Sequence, residues 1–200
     1  MVARFLANPK ENHMMEIKRI MRYLKGTKDY GLWYKMGGNL DLKVFTDVDW
    51  VGSIDDWKSA SGGAFFLGKI LVSWRTKKKN CISQSTAEAE YVAATVNCSN
   101  IVWLKQILPG IKSEIKDPVV IYCDNTNAIN ISKNPVMHSK TKHIAIKYHF
   151  LRELVQEKEF RLEYVNTKEH IVDIFTKPFP NYAFLYLRGK LGMIPLSIVH

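Results

Sequence analysis

The stretch Pro118-Val-Val-Ile-Tyr-Cys-Asp124 limits the architecture more than any other part of this 200-residue chain. Five apolar or aromatic residues between a proline and an aspartate are too few for a stable helix and read as a buried strand. Before it, a long helical stretch from Thr86 to Leu108 opens with the cap chemistry of Thr86 and Glu88 to Glu90 and is stopped by Pro109-Gly110. After it, Asn125 to Ser132 reads as a short helix and His143 to Lys158 as a longer one. Phe160 to Val165 then reads as a strand, and Glu169 to Lys177 as the start of a further helix. Strands separated by helices join a sheet in parallel, through crossovers.

Upstream the pattern differs. Leu42 to Trp50 alternates apolar and polar residues as far as Asp47-Val48-Asp49. Gly62 to Leu67 and Ile70 to Trp74 are joined by Gly68-Lys69, a two-residue hairpin signal. These three strands form an antiparallel meander. Together with the two helix-separated strands they predict an α/β domain over residues 41–178, a five-stranded mixed sheet flanked by helices. Ahead of it, Asn8 can cap and Pro9 can open a helix that Gly26 ends, with Met14, Ile17, Ile20, Met21 and Leu24 at helical spacing. The strand Gly31 to Met36 and the turn-forming Gly37-Gly38-Asn39 follow. A helix and a strand cannot build a core alone, so residues 1–40 are an appendage of something larger. Residues 179–200 form a C-terminal tail.

Composition removes several classes of protein. No run approaches the roughly 18 apolar residues of a membrane span; Ala64 to Trp74 is broken by Gly68 and Lys69. The N-terminal apolar run is too short for a signal peptide, and no other targeting signal is readable. Cys81, Cys98 and Cys123 lack zinc-type spacing, and so sparse a count fits a reducing compartment. With 29 Lys and Arg against 19 Asp and Glu, the net charge of +10 suits a polyanionic partner, or equally a merely soluble basic surface.

Four acids occupy the ends or starts of these elements: Asp47, Glu90, Asp124 and Asp173. A carboxylate at the end of a buried strand is costly to desolvate unless a cation or a donor meets it. Hard cations such as Mg²⁺ take oxygen ligands, and two ions about 4 Å apart serve phosphodiester hydrolysis. Spacing alone leaves open the alternative that these residues are helix caps and surface acids.

Longer motifs carry a resemblance. Phe45-Thr-Asp-Val-Asp-Trp-Val-Gly52 with Asp55-Asp-Trp-Lys-Ser-Ala-Ser-Gly62, Ser85-Thr-Ala-Glu-Ala-Glu-Tyr-Val-Ala93, and Ile121-Tyr-Cys-Asp-Asn125 resemble the ribonuclease H domain of copia-type retrotransposon Pol polyproteins. Lys133 to Ile144, Tyr148 to Glu153, Tyr164-Val-Asn-Thr and Asp173-Ile-Phe-Thr-Lys-Pro178 continue it collinearly. The resemblance implies a ribonuclease H-like fold and cleavage of the RNA strand of RNA–DNA hybrids during reverse transcription. It implies two Mg²⁺ ions, or Mn²⁺, held by Asp47, Glu90, Asp124 and Asp173. It also makes residues 1–40 the end of a polymerase connection and the polymerase portion a partner, with a cytoplasmic virus-like particle or the nucleus as the setting. A folded but inactive nucleic-acid-binding remnant is the alternative.

The same resemblance leaves Asp49 as a turn or substrate residue, and Glu88 as a favourable charge in the first helical turn. It is imperfect at Val48, Val51 and Ala145, where Gly or Ala, Ala, and Asp are usual. Ser85, Thr86 and Asn125 flank the acids as candidate substrate donors, with helix capping as the competing role of the first two. Lys77, Lys78 and Lys79 are either phosphate contacts or a solvated hairpin end. His170 reads as a helix residue, since it lies too close to Asp173 to match the mobile histidine loop that cellular ribonucleases H carry before their last acid. His138, His143 and His149 lack ligand spacing, and Trp50, Trp57, Trp74 and Trp103 read as core.

Overall fold

The computed structural model describes residues 5–35, 37, 40–49, 59–78, 85–111, 115, 118–133 and 150–198. The readings of Trp50, Val51, Asp55, Asp56, Trp57, Lys79, Cys81, His138, His143, Ala145 and His149 therefore lie outside the described residues. Those up to Trp33 and from Met193 onward form one compact unit, and those from Tyr34 to Gly192 another.

The smaller unit holds helix α1 (Glu11–Gly26) and strand β1 (Tyr30–Leu32), which pairs antiparallel with β7 (Met193–Pro195). The helix starts at Glu11 rather than Pro9, and the Lys10 N–H donates to His13 Nδ1 at 3.0 Å. Its apolar stripe is not a core face: no α1 residue is buried.

The larger unit contains β2 (Leu42–Asp49), β3 (Ala60–Leu67), β4 (Ile70–Lys78), α2 (Thr86–Ile107), β5 (Val119–Cys123), α3 (Thr126–Lys133), α4 (Phe150–Gln156), β6 (Phe160–Tyr164) and α5 (Asn181–Lys190). The sheet order is β4-β3-β2-β5-β6. The β2–β3 and β3–β4 pairs are antiparallel, while β2–β5 and β5–β6 are parallel. This is the five-stranded mixed sheet that the sequence predicts, with the hairpin turning at Gly68-Lys69. Among the described residues a local difference follows β6. The segment read as a helix from Glu169 is two 3₁₀ turns, Thr167–Glu169 and Ile171–Phe175.

Alternation places the core on one face. Leu42 and Val44 of β2, Val119 and Ile121 of β5, and Phe160 and Leu162 of β6 pack with Tyr91, Cys98 and Ile101 of α2 and Leu151 of α4. Tight approach of α2 to the sheet depends on Gly63, where an added Cβ would lie 2.5 Å from Asn97 Oδ1. Asn97 is buried and its Nδ2 donates to the Gly62 carbonyl at 3.2 Å, so it cannot yield freely. Trp74 and Trp103, read as core, are instead 55% and 56% exposed. Each stands on an element whose opposite face already fills the core.

Gly63→Ala is expected to destabilise the chain by about 1–3 kcal/mol, the range for overpacking a filled interior. Urea unfolding of parent and variant measures it.

Candidate active site

The site begins with strand register. Phe45 of β2 pairs with Tyr122 of β5, and their rings stack at 4.8 Å. Asp47 and Asp124 each lie two residues further on, so they come level at the C-terminal ends of adjacent parallel strands, which sit about 4.8 Å apart. Parallel strand ends are where open α/β sheets place their ligand sites.

The third carboxylate arrives over the sheet. Asp47 pairs with Gly62 of β3, and a Cβ there would lie 3.0 Å from Thr176 Cγ2 and 3.1 Å from Val172 Cγ2. The bare glycine lets the second 3₁₀ turn lie flat on β3, bringing Asp173, Thr176 and Lys177 against Asp47. Thr176 Oγ1 donates to Asp47 Oδ2. Lys177 Nζ lies 3.1 Å from Asp47 Oδ1 and 3.1 Å from Asp173 Oδ2. Glu90 comes from the first turns of α2, where Ser85 Oγ accepts from the Glu88 N–H at 3.2 Å and caps the helix. Glu90 Oε1 accepts from the Val48 N–H at 3.0 Å.

Among the described residues two ligand groups result: Asp47, His170 and Asp173, and Glu90, Cys123 and Asp124, with the ligand atoms of each group within 4.8 Å of one another. His170 joins them, its Nδ1 lying 3.0 Å from Asp173 Oδ1 and 3.9 Å from Asp124 Oδ2. Thr167 Oγ1 donates to Asp124 Oδ2 at 3.1 Å. Asp47, Glu90 and Asp173 are buried, and Asp124 is partly open at the rim.

These atoms suit a hard cation. His170 is completely buried, yet neither ring nitrogen nor Asp173 Oδ1 has a hydrogen-bond partner. The 3.0 Å separation of Nδ1 and Oδ1, an ion pair if the ring is protonated, equals the edge between neighbouring ligands. Ligands about 2.1 Å from Mg²⁺ in an octahedron stand about 3.0 Å apart. Cys123 is a different matter. Burial, then the charge of Glu90, drive its thiol well above the ordinary range. It therefore stays protonated beside Glu90 and leaves oxygen as the main donor.

Among the other residues singled out in the sequence, Ser85 is a helix cap and Thr86 lies exposed at the first position of α2. Asn125 Oδ1 accepts from the backbone N–H groups of Asn127 and Ala128 at 3.0 and 3.1 Å, capping α3. Asp49 is half-buried at the end of β2, and Lys77 is exposed at the end of β4. Sequence reasoning passed over Lys177 and read His170 as a helix residue. Lys177 had a signal, since it lies four residues after Asp173 in the same motif. His170 had one in its place just before Asp173, but its burial comes from the chain folding over β2 and could not be read from that place.

No family model matches the chain. Similarity to individual proteins is extensive. The chain is 37% identical over 193 residues to the Retrovirus-related Pol polyprotein from transposon RE2 of Arabidopsis thaliana, covering 96% of this chain and 13% of that protein. It is 38% identical over 192 residues to the corresponding polyprotein from transposon TNT 1-94 of Nicotiana tabacum, covering 96% of this chain and 14% of that protein. The chain belongs to the copia-type retrotransposon Pol polyproteins. This Pol segment thus spans about one-eighth of the length of those relatives, 13–14%. Among solved structures, it superposes on the N-terminal RNase H domain of Rv2228c from Mycobacterium tuberculosis with a TM-score of 0.45 and 12% identity, covering 74% of this chain and 98% of that one.

The electrostatics of the Pol segment's site set a pH dependence. Burial, then the neighbouring Asp173 charge, raise the Asp47 pKa above its unfolded value of 3.8, despite the opposing effects of Lys177 and Thr176. An acid with a raised folded pKa holds its proton more tightly when folded. Metal-free stability therefore falls as pH climbs from 3.8 through the folded value, then levels off. Asp47→Asn removes that titration. At neutral pH the metal-free variant is expected to melt about 2–4 °C above the parent, the effect of about 1 kcal/mol in a chain of this size. The difference should close as the solution is acidified toward the unfolded pKa, and calorimetry across that interval tests it.

Proposed function

We propose that this Pol segment cleaves the RNA strand of RNA–DNA hybrids by divalent-metal-dependent endonucleolytic hydrolysis, as the ribonuclease H part of reverse transcription. The observation that carries the reading is the convergence of Asp47, Glu90, Asp124 and Asp173 from four separate elements into two adjoining ligand groups at the parallel strand ends. Structural acids have no reason to gather against their own repulsion. Mg²⁺ or Mn²⁺ bound there would acidify the attacking water and offset charge on the phosphodiester.

The chain's residues divide the remaining work. Asp47, Glu90 and Asp173 are fixed by burial and by bonds to Thr176, the Val48 amide and Lys177, so their oxygens are held ready before substrate arrives. Asp124 stands at the rim, steadied by Thr167, where a scissile phosphate approaches. Thr86 and Asn125 flank the acids at the starts of α2 and α3 and are the donors we assign to the hybrid backbone, with Ser85 shaping that end of α2 as its cap. Recognition of RNA rests on the ribose 2′-hydroxyl in the wide groove of the hybrid. The net charge of +10 favours binding to phosphate, and the polymerase portion of the polyprotein is the partner we assign to residues 1–40.

The test is an assay of the purified chain on a labelled hybrid with Mg²⁺ or Mn²⁺. Cleavage should need the ion, spare duplex DNA, and weaken as salt rises. Asp124→Asn should lower the rate by about 10²-fold or more, the scale for loss of one preorganised charge-stabilising group, without loss of fold. Asp49→Asn should do far less. A well-folded parent that binds hybrid without cutting it, at any concentration of either ion, would establish the inactive remnant instead.

A further inference from the structure

The ammonium of Lys177 stands between two carboxylates delivered by different elements, equidistant from both. It lies 3.1 Å from Asp47 Oδ1 on β2 and 3.1 Å from Asp173 Oδ2 on the 3₁₀ turn. A divalent ion held by Asp47, His170 and Asp173 would draw on Asp173 Oδ1 beside His170 and, with Thr176 on Oδ2, on the Asp47 Oδ1 that the ammonium contacts. The two cations compete at Asp47 and repel each other across the site, so each weakens the hold of the other. We propose that Lys177 is an exchangeable internal cation, filling the place between Asp47 and Asp173 until a divalent ion displaces it. The proposal rests on the two-ion reading of the site and adds an order of assembly to it.

Three features make the exchange possible. The carboxylates are buried, with side chains 1% and 3% exposed, whereas the Lys177 side chain is 31% exposed and can leave toward solvent. Its stem is a flexible four-carbon chain carrying a compact charge that keeps bonds in many positions. And Lys177 does not complete the site: Asp173 Oδ1 and both nitrogens of His170 remain buried without hydrogen bonds beside it. With lysine in place, Nδ1 and Oδ1 stand 3.0 Å from each other, and both residues lie in the ligand group an ion would use.

The other ligand group draws on different oxygens, those of Glu90 and Asp124. An ion there leaves both lysine contacts intact. Divalent ions therefore bind in two steps: a tighter one at Glu90 and Asp124, and a weaker one between Asp47 and Asp173 that carries the work of expelling the ammonium. Substrate eases the second step, because a phosphodiester oxygen offers the released ammonium a new anion. Lys177 is thus a positioning residue. It keeps the acids folded together without metal and delays completion of the site until substrate arrives.

Mn²⁺ titration of the metal-free chain, read from the electron paramagnetic resonance of the free ion and paired with thermal melts, tests this without an activity readout. The parent should show two classes of site. In Lys177→Met the weaker class should tighten about tenfold, within the usual range of coupling between competing ligands. The metal-free melting temperature should fall, and the rise produced by Mn²⁺ should exceed that of the parent. Lys177→Arg should keep the parent's weak class. Lys177→Gln replaces Lys177→Met in the comparison if the latter does not fold. Unchanged or weaker Mn²⁺ binding in the neutral variant, with melts lowered equally in the presence and absence of ion, would overturn the exchange and leave Lys177 a packing residue. A folded parent that takes up no Mn²⁺ at millimolar ion removes the two-ion reading itself. Hybrid cleavage that survives Asp124→Asn would mark that separate failure.

Discussion

Like charges held together inside a protein are the constraint on which the larger unit is organised. Asp47, Asp173 and Glu90 are buried, and their mutual repulsion together with their lost hydration works against folding. The chain offsets this locally. Lys177 bridges two of the acids, Thr176 donates to Asp47, and the Val48 amide donates to Glu90. The Lys177–Asp173 contact is local to one turn, but Thr176 and Lys177 reach Asp47, and the Val48 amide reaches Glu90, from other elements. The site therefore exists only once the sheet, α2 and the 3₁₀ turn have docked.

Docking in turn depends on close approach at two neighbouring glycines. Gly63 admits the Asn97 side chain of α2 from one side of β3, and Gly62 admits Val172 and Thr176 from the other. The pair works because successive residues of a strand face opposite ways. One sets the height of the helix that carries Glu90, and its neighbour sets that of the turn that carries Asp173. The apolar cluster behind them, running from Leu42 and Phe65 through Ile101 to Phe160, holds the strand ends level, so their carboxylates meet at a fixed depth. Stability and the placement of the acids are therefore two consequences of the same packing.

Much of this was legible in the residues. Pro118 to Asp124 announced a buried strand, the alternation from Leu42 onward announced a half-covered one, and Gly68-Lys69 announced the hairpin. These signals are local because side-chain period and turn chemistry are local. The acids were legible as a set only through the motifs around them, since Asp49 and Glu88 differ from Asp47 and Glu90 by two positions and nothing else. The exposed Trp74 and Trp103 were misread, because hydrophobic bulk does not say which face of an element the core will claim.

The sequence by itself determined the order of strands and helices, the glycines, and the four acids with their places at element ends. All of these follow from interactions between residues close along the chain. Tertiary structure alone decided what those acids touch. His170 looked like one more residue of a helix, but the chain crosses β2 there, so the ring is sealed between Asp124 and Asp173. Lys177 carried no role in the sequence beyond its place in the last motif, but Gly62 lets its turn settle low enough to place the ammonium between Asp47 and Asp173. Partners so distant in the chain, 130 positions apart for Lys177 and Asp47, meet only when strand register and steric clearance bring them together. Neither of those is written in any single stretch of residues.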